Sequence, residues 1–524
     1  MLGSLLASLP VQAADEPFEP IAHADIEWSA VAPLLVLTGA AMGLMLVAAM
    51  TRWKPFAGFY PLVTSSAALA ASVSIWPLWE RVQDETRGPY TALSGSVGID
   101  GFSLFMTVVI CASVVLTSLL ADAYLRREGM DGPELYILLL LSASGGVLMA
   151  AANDLIVLFL ALEILSLAVY VLAAMHLRRV TSQEAGIKYF VLGSFASAFL
   201  LYGIALTYGA TGTTNLVEIL EFLSGTVLFD NGLLLAGMAM LLVGLGFKVA
   251  AAPFHAWTPD VYQGSPTPVV AYMAGGVKAA GFAGLVRVFY LGFQTYRVDW
   301  QPIVYAIALL TLLVGAVMAV VQTDVKRMLA YSSISHAGFI LMAVQAATER
   351  GVEAVLFYVA SYTFLVGGSF AIVSVVGREG DGKHSLDDYK GLARSRPALA
   401  LVFSILLFSQ AGVPFTSGFF AKFYAISAAV DARSFPLAAV AMFSAVIAAF
   451  LYLRITVSMW MADDDADVPA RADLPVPAGV ALALGVCLVV TLGVGLFPHV
   501  LTGPAADATA VLVQFTEPVS FATP

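Results

Sequence analysis

Residues 153–172 read NDLIVLFLALEILSLAVYVL, twenty residues in which Glu163 is the one ionisable side chain after the opening Asp154. That is the length of a helix crossing a bilayer, and at about 1.5 Å per residue Glu163 lies some 13–14 Å beyond Asp154, close to mid-membrane. A spanning helix satisfies its own backbone groups, and the stretch lacks the alternation of a barrel strand. The same apolar texture runs through the chain. Of its 524 residues 60% are apolar and 12% charged, and the mean hydropathy is +0.88. Apolar stretches fall near 29–50, 56–76, 101–124, 134–151, 154–176, 182–209, 232–260, 267–291, 301–323, 327–347, 352–376, 397–430, 436–460 and 476–497. These patterns predict an all-α polytopic bundle of about fourteen transmembrane helices.

Two of the stretches, the seventh (232–260) and the twelfth (397–430), are too long for one simple crossing and carry Pro253 and Pro414 inside, so both are expected to be broken. They run in opposite directions and each has a lysine nearby, the pointer to inverted repeats with sites at their interface. The expected organisation is a polar lead (1–28), helices 1–3 (29–124), a first five-helix repeat (134–291), a second (301–460), helix 14 (476–497) and a tail (498–524). The opening MLGSLLASLPVQAADE has no basic residue, Arg52 being the first positive charge, so an uncleaved lead is expected rather than a signal peptide.

With the amino terminus outside, the inner connections hold Arg52, Lys54, Arg126, Arg127, Arg178, Arg179, Lys326, Arg327, Arg378, Lys383, Lys390, Arg394, Arg396 and Arg471. The outer ones hold Arg81, Arg87, Arg297, Arg350 and Arg433, and fourteen against five places both termini outside. The formal charge of -11 argues against a nucleic-acid partner. Cys111 and Cys487, the only cysteines, cannot build a zinc or iron–sulfur ligand set, and no phosphate-binding loop is present. The energy must come from an ion gradient or from another subunit.

Six basic residues remain. Arg287 and Arg454 sit near span ends, where they can snorkel. Lys188, Lys248, Lys278 and Lys422 lie well inside apolar helices, where a charge costs at least about 2.5–3.5 kcal/mol. A lone Glu163 needs a cation to remain charged, and Lys188 on the next helix is the candidate partner. In GFKVAAAPFHAWTPDVYQGSPTP (246–268), Pro253 frees carbonyls beside Lys248 and His255, a polar break expected to line a cavity. Gly and Ala around Lys278 in AYMAGGVKAAGFAGLVRVF (271–289) leave room for water at the amine. In TDVKRMLAYSSISHAGF (323–339), Asp324 is a helix cap, Lys326 and Arg327 interfacial anchors, and Ser332, Ser333, Ser335 and His336 a polar stripe. The serines favour a proton relay over a purely structural imidazole. AGVPFTSGFFAKF (411–423) breaks around Pro414 and places Lys422 on the outlet side. Asp463, Asp464, Asp465 and Asp467 read as a solvated inner loop.

These stretches resemble the antiporter-like membrane subunits of the proton-translocating NADH:quinone oxidoreductase, respiratory complex I, over roughly residues 100–460. DVKRMLAYSSISHAG occurs broadly in that superfamily. The Val-Tyr-Gln-Gly form of APFHAWTPDVYQGSPTP, followed by GGVKAA, is similar to the subunit N branch. The resemblance implies a relay of Glu163, Lys188, Lys248, Lys278 and Lys422, with a further glutamate matched by Glu134. It also implies a multi-pass place in the bacterial plasma membrane beside other complex I membrane subunits, including a neighbouring antiporter-like one. NADH oxidation, flavin, iron–sulfur clusters and the quinone pocket would then belong to partner subunits, with no cofactor in this chain. The alternative is a multisubunit cation/proton antiporter, which shares the superfamily motifs.

Overall fold

The computed structural model describes residues 26–50, 56–226, 231–461 and 475–514, with the side chains of 510–514 left out. Residues 1–25, Arg52, Lys54, Arg471 and the acidic run at 463–467 lie outside the described residues. Among the described residues, twelve helices are long and apolar enough to cross a membrane. Two shorter apolar ones, Gly232–Lys248 and Pro397–Ala411, stand where the broken spans were expected.

Local sequence sets where each helix begins and ends. The described residues open with α1 (Ala32–Met50), α2 (Phe59–Ser74) and α3 (Trp76–Gln83), the last started by Pro77 in its first turn. A short antiparallel hairpin follows, β1 (Tyr90–Ala92) on β2 (Val97–Ile99), with Tyr90 opposite Ile99. Asp100 and Ser103 form a capping box at the start of α4 (Gly101–Glu128), which Gly129 closes at φ 62°. After α5 (Glu134–Ala151), Asp154 caps α6 (Leu155–Ala173), α7 (Val180–Thr211) returns, and Asn215 caps the short α8 (Leu216–Gly225). The first broken span is α9 (Gly232–Lys248) and α10 (Trp257–Gly264). Next come α11 (Thr267–Tyr272) and α12 (Lys278–Val286), joined by a π-turn at Met273–Val277, then α13 (Arg297–Val320) and α14 (Val325–Gln345), capped by Asp324 as expected. The chain finishes with α15 (Glu349–Val376), α16 (Leu392–Ser395), the second broken span α17 (Pro397–Ala411) and α18 (Ser417–Asp431), α19 (Phe435–Trp460), α20 (Ala478–Leu496) and α21 (His499–Gln514).

Thr267–Gly292 and Val325–Gln345 are enclosed along almost their whole length, whereas α1, α7 and α19 keep broad apolar faces such as Met42, Phe195 and Phe443 exposed. Against lipid such faces carry no penalty, so the apolar texture does not distinguish inner helices from outer ones; the buried polar residues do. The stretch expected as a tail is corrected: α21 packs on α4 and α15. Its small residues allow this, since a Cβ at Gly101 would come within 2.6 Å of the Ala508 Cα.

Candidate functional site: a row of buried lysines

At the first break α9 ends on Lys248, Ala250 takes φ 62°, and the Ala252–Pro253 peptide is cis. Freed backbone groups find new partners. Trp257 Nε1 donates to the Phe247 carbonyl at 3.1 Å, and the Ala252 amide donates to Thr311 Oγ1 at 2.9 Å. The buried Lys248 Nζ donates to Ser166 Oγ at 2.8 Å. Ser166 lies one helical turn past Glu163, which is near enough to act on Lys248 by charge and accepts a hydrogen bond from Ser197. Between these groups is a void of about 10 Å³, lined in part by Ser166, Ser197 and Lys248. That is about the room one water needs, with polar partners on both sides.

Lys278 opens α12 directly after the π-turn, a local widening that recurs at functional sites. Its Nζ donates to the Ser333 carbonyl at 2.7 Å and to Ser333 Oγ, and stands 5.8 Å from the Tyr362 ring centre. One turn further on, a Cβ at Gly281 would meet the Lys248 stem at 3.3 Å, so the two lysine helices touch. His336 is held at both ring nitrogens, Nδ1 at 2.7 Å from the Tyr358 hydroxyl and Nε2 at 3.1 Å from that of Tyr452. Tyr452 also meets Ser332 Oγ at 2.6 Å. Lys278 and Lys422 are both near enough to act on His336 by charge.

At the second break Gly412 takes φ 96° and Phe415 φ 64°. Lys422 reaches back from α18 to donate to the Ala411 carbonyl at 2.9 Å, with the Phe339 ring centre 5.1 Å from its Nζ. A helical side chain leans toward its own N-terminus, so a lysine placed shortly after a break can satisfy the carbonyl that the break frees.

Other expectations are corrected. Lys188 pairs with Asp260 at 2.8 Å and Glu184 at 2.7 Å, not with Glu163. The two lie on packed helices at different levels: Glu163 meets Ser197, nine residues farther along α7, about 13 Å by helical rise. Glu134 sits exposed in the first turn of α5, its carboxylate folded over Gly132. That location suits the helix N-terminal dipole and leaves it outside the row. His255 lies half-buried in the first break, and no described residue offers its Nδ1 a hydrogen bond. Arg287 does not snorkel. Its side chain is 1% exposed, pairs with Asp100 at 2.6 Å and donates to the Ala150 carbonyl at 2.9 Å, because the capped start of α4 puts a buried carboxylate beside it.

Lys326 and Arg327 are not surface anchors either. Arg327 pairs with Asp260 at 2.7 Å, and Lys326 is 0% exposed, donating to the Ser265 carbonyl at 2.7 Å with Asp381 at 3.4 Å. Asp381 lies on the loop after α15 and also accepts from Arg179 at 3.0 Å, His384 at 2.9 Å and Thr267 at 2.8 Å. Burial opposes its charge, but Lys326, His384 and Arg179 outweigh it and hold the carboxyl well below the usual carboxylate range. Ser166, Tyr358, Tyr452, Asp260 and Asp381 escape sequence reasoning; only the turn spacing of Ser166 from Glu163 points to any of them.

Residues 152–448 match the family described as NADH:quinone oxidoreductase/Mrp antiporter, transmembrane. Subunit N of the NADH-quinone oxidoreductase of Trichlorobacter lovleyi is 38% identical over 489 residues, covering 93% of this chain and 98% of that one. Among solved structures, a chain of respiratory complex I from Thermus thermophilus with bound aureothin superposes with a TM-score of 0.73 at 32% identity, covering 91% of this chain and 100% of that one. A chain of the Mrp complex of a Dietzia species superposes with a TM-score of 0.78 at 21% identity, over 94% of this chain and 99% of that one, a likeness of fold alone.

Proposed function

This chain belongs to the NADH-quinone oxidoreductase subunit N family, within the wider NADH:quinone oxidoreductase/Mrp antiporter membrane family, and from that premise we propose how it moves protons. Protons enter from the inner side, load Lys248, pass by Lys278 and the Ser333–His336 stripe, and leave by Lys422. Glu163 is the switch, acting on Lys248 directly in place of the Lys188 pair expected from sequence. Across the width of a water, about 6–7 Å, at an effective dielectric near 20 a carboxylate contributes about 2–3 kcal/mol to an ammonium, enough to bias whether the amine keeps its proton.

The observation that carries this reading is the Lys248–Ser166 hydrogen bond with its void of about 10 Å³ toward the Glu163–Ser197 pair. The two breaks mirror each other, with Lys248 just before one and Lys422 just after the other, which supports the inverted repeats. With Lys326 buried, thirteen basic residues against five still favour outward termini. Redox chemistry is assigned to partner subunits: two cysteines cannot hold an iron–sulfur cluster, and the family resemblance implies that flavin and quinone lie there too. In assembled complex, Glu163→Ala or Lys248→Met is expected to abolish pumping-coupled quinone reduction; full activity in either variant overturns the proposal.

A further inference from the structure

We infer that Lys326, a fourth buried lysine, and Asp381 form the inner entrance of the row, delivering protons along Ser265 and Tyr262 to the Ser333–Lys278 contact. This rests on the relay reading above and revises its input: the proton joins the row at Lys278, whose helix touches that of Lys248, rather than at Lys248 itself. A polar cavity of about 250 Å³ opens at the face predicted as inner. Lys188, Glu184 and Asp260 stand exposed at its rim, and Asp381 and His384 form its floor. Lys326 lies directly behind Asp381, with both side chains 0% exposed. Asp381 thus has the cavity on one side and a sealed amine on the other.

Beyond Lys326 the polar groups continue inward. Lys326 is bonded to the Ser265 carbonyl, and Tyr262 lies three residues earlier, one turn along α10, which packs on α14. Ser265 Oγ and the Tyr262 hydroxyl are both buried with no hydrogen-bond partner among the described residues. The Tyr262 hydroxyl interacts with Ser333 by proximity without reaching full hydrogen-bond geometry. Lys326 and Ser333 are seven residues apart on α14, two turns along one face and about 10 Å by rise. A packing role explains none of this. Two orphaned buried hydroxyls carry a desolvation penalty that packing alone does not offset, and a lysine needed only as an anchor would keep its ammonium in water.

The proton balance is simple. The Lys326 ammonium releases one proton toward Tyr262, and the resulting amine takes one from the cavity by way of Asp381, whose carboxylate accepts that proton on the cavity side, passes it to the amine and is a carboxylate again at the end of the cycle. Each hydroxyl accepts one proton as it gives one up, so the net change is a single proton moved from the cavity to the Lys278 amine.

The test uses assembled complex in membranes, reading NADH-driven proton uptake per electron together with the coupled quinone-reduction rate. Lys326→Arg keeps a cation on Asp381 but cannot release a proton. It is expected to assemble and to lose coupled pumping about tenfold or more. Tyr262→Phe, which removes only a hydroxyl, is expected to do the same. Wild-type pumping in the assembled Lys326→Arg complex overturns the entrance, and if that variant fails to assemble, wild-type pumping by Tyr262→Phe overturns it alone. Lys278→Met in parallel separates the two ideas: if it pumps normally the relay reading has failed, and if it is dead while the other two pump, only the entrance has.

Discussion

A charged side chain inside an apolar helix stands out because little else there is ionisable, which is why the positions of Glu163, Lys248, Lys278 and Lys422 are legible in the sequence. Their partners are not. Ser166, Tyr358 and Tyr452 are ordinary core residues until coordinates show what they touch, and the level at which two helices meet cannot be read from span order. The cost of that second gap is the Glu163–Lys188 pair, which the structure replaces with Lys188–Asp260. Ser166 is the decisive partner at this scale, because its hydroxyl is the one side-chain group among the described residues that is hydrogen-bonded to Lys248. A hydrogen bond to a charged group contributes about 1.5–3 kcal/mol. Ser166→Ala is therefore expected to slow NADH-driven proton pumping by about tenfold, while Ser166→Thr retains most of it. Pumping assays on membrane vesicles decide this, and an alanine variant as fast as wild type would remove Ser166 from the relay.

Element by element, the apolar stretches were legible because a bilayer fixes helix length, and the breaks because proline inside a span has few other outcomes. The short helix α8 and the packed α21 escape because neither needs a full apolar span, only a cap or small residues at a contact. The second break shows how tight such contacts are. Gly418 opens α18 where it crosses α17, and a Cβ there would fall 2.0 Å from the Ser409 carbonyl oxygen. The Gly418 amide is itself bonded to Ser409 Oγ at 3.1 Å, so neither helix can withdraw without losing that bond. Gly418→Ala is expected to destabilise the chain by about 1–3 kcal/mol through overpacking. It should also displace Lys422 from the Ala411 carbonyl, since both lie on the same crossing. Thermal melting of the detergent-solubilised protein reads the first effect and coupled pumping the second; a variant unchanged in both would show that the crossing has slack.

Across the whole molecule, the Asp381 node joins parts far apart in sequence: Arg179 ahead of α7, Thr267 at the start of α11, Lys326 in α14, and its own loop after α15. It spans both proposed repeats, so its charge state bears on how they hold together at the face predicted as inner. The folded-state carboxyl is held below its ordinary value of about 3.9, so the node's contribution is fully present above that value. The contribution is lost as pH falls from about 4 through the lower folded-state value, where the carboxylate takes up a proton and releases its cations. Asp381→Asn leaves Lys326 and Arg179 buried without their anion, which costs about 3–5 kcal/mol at neutral pH. The difference in melting temperature between wild type and Asp381→Asn is therefore expected to be largest near neutrality and to shrink as pH is lowered below about 4. A difference that stays constant down to acid pH would mean that Asp381 is already neutral in the fold, and with it would go the idea that this carboxylate is the charged floor of the inner cavity.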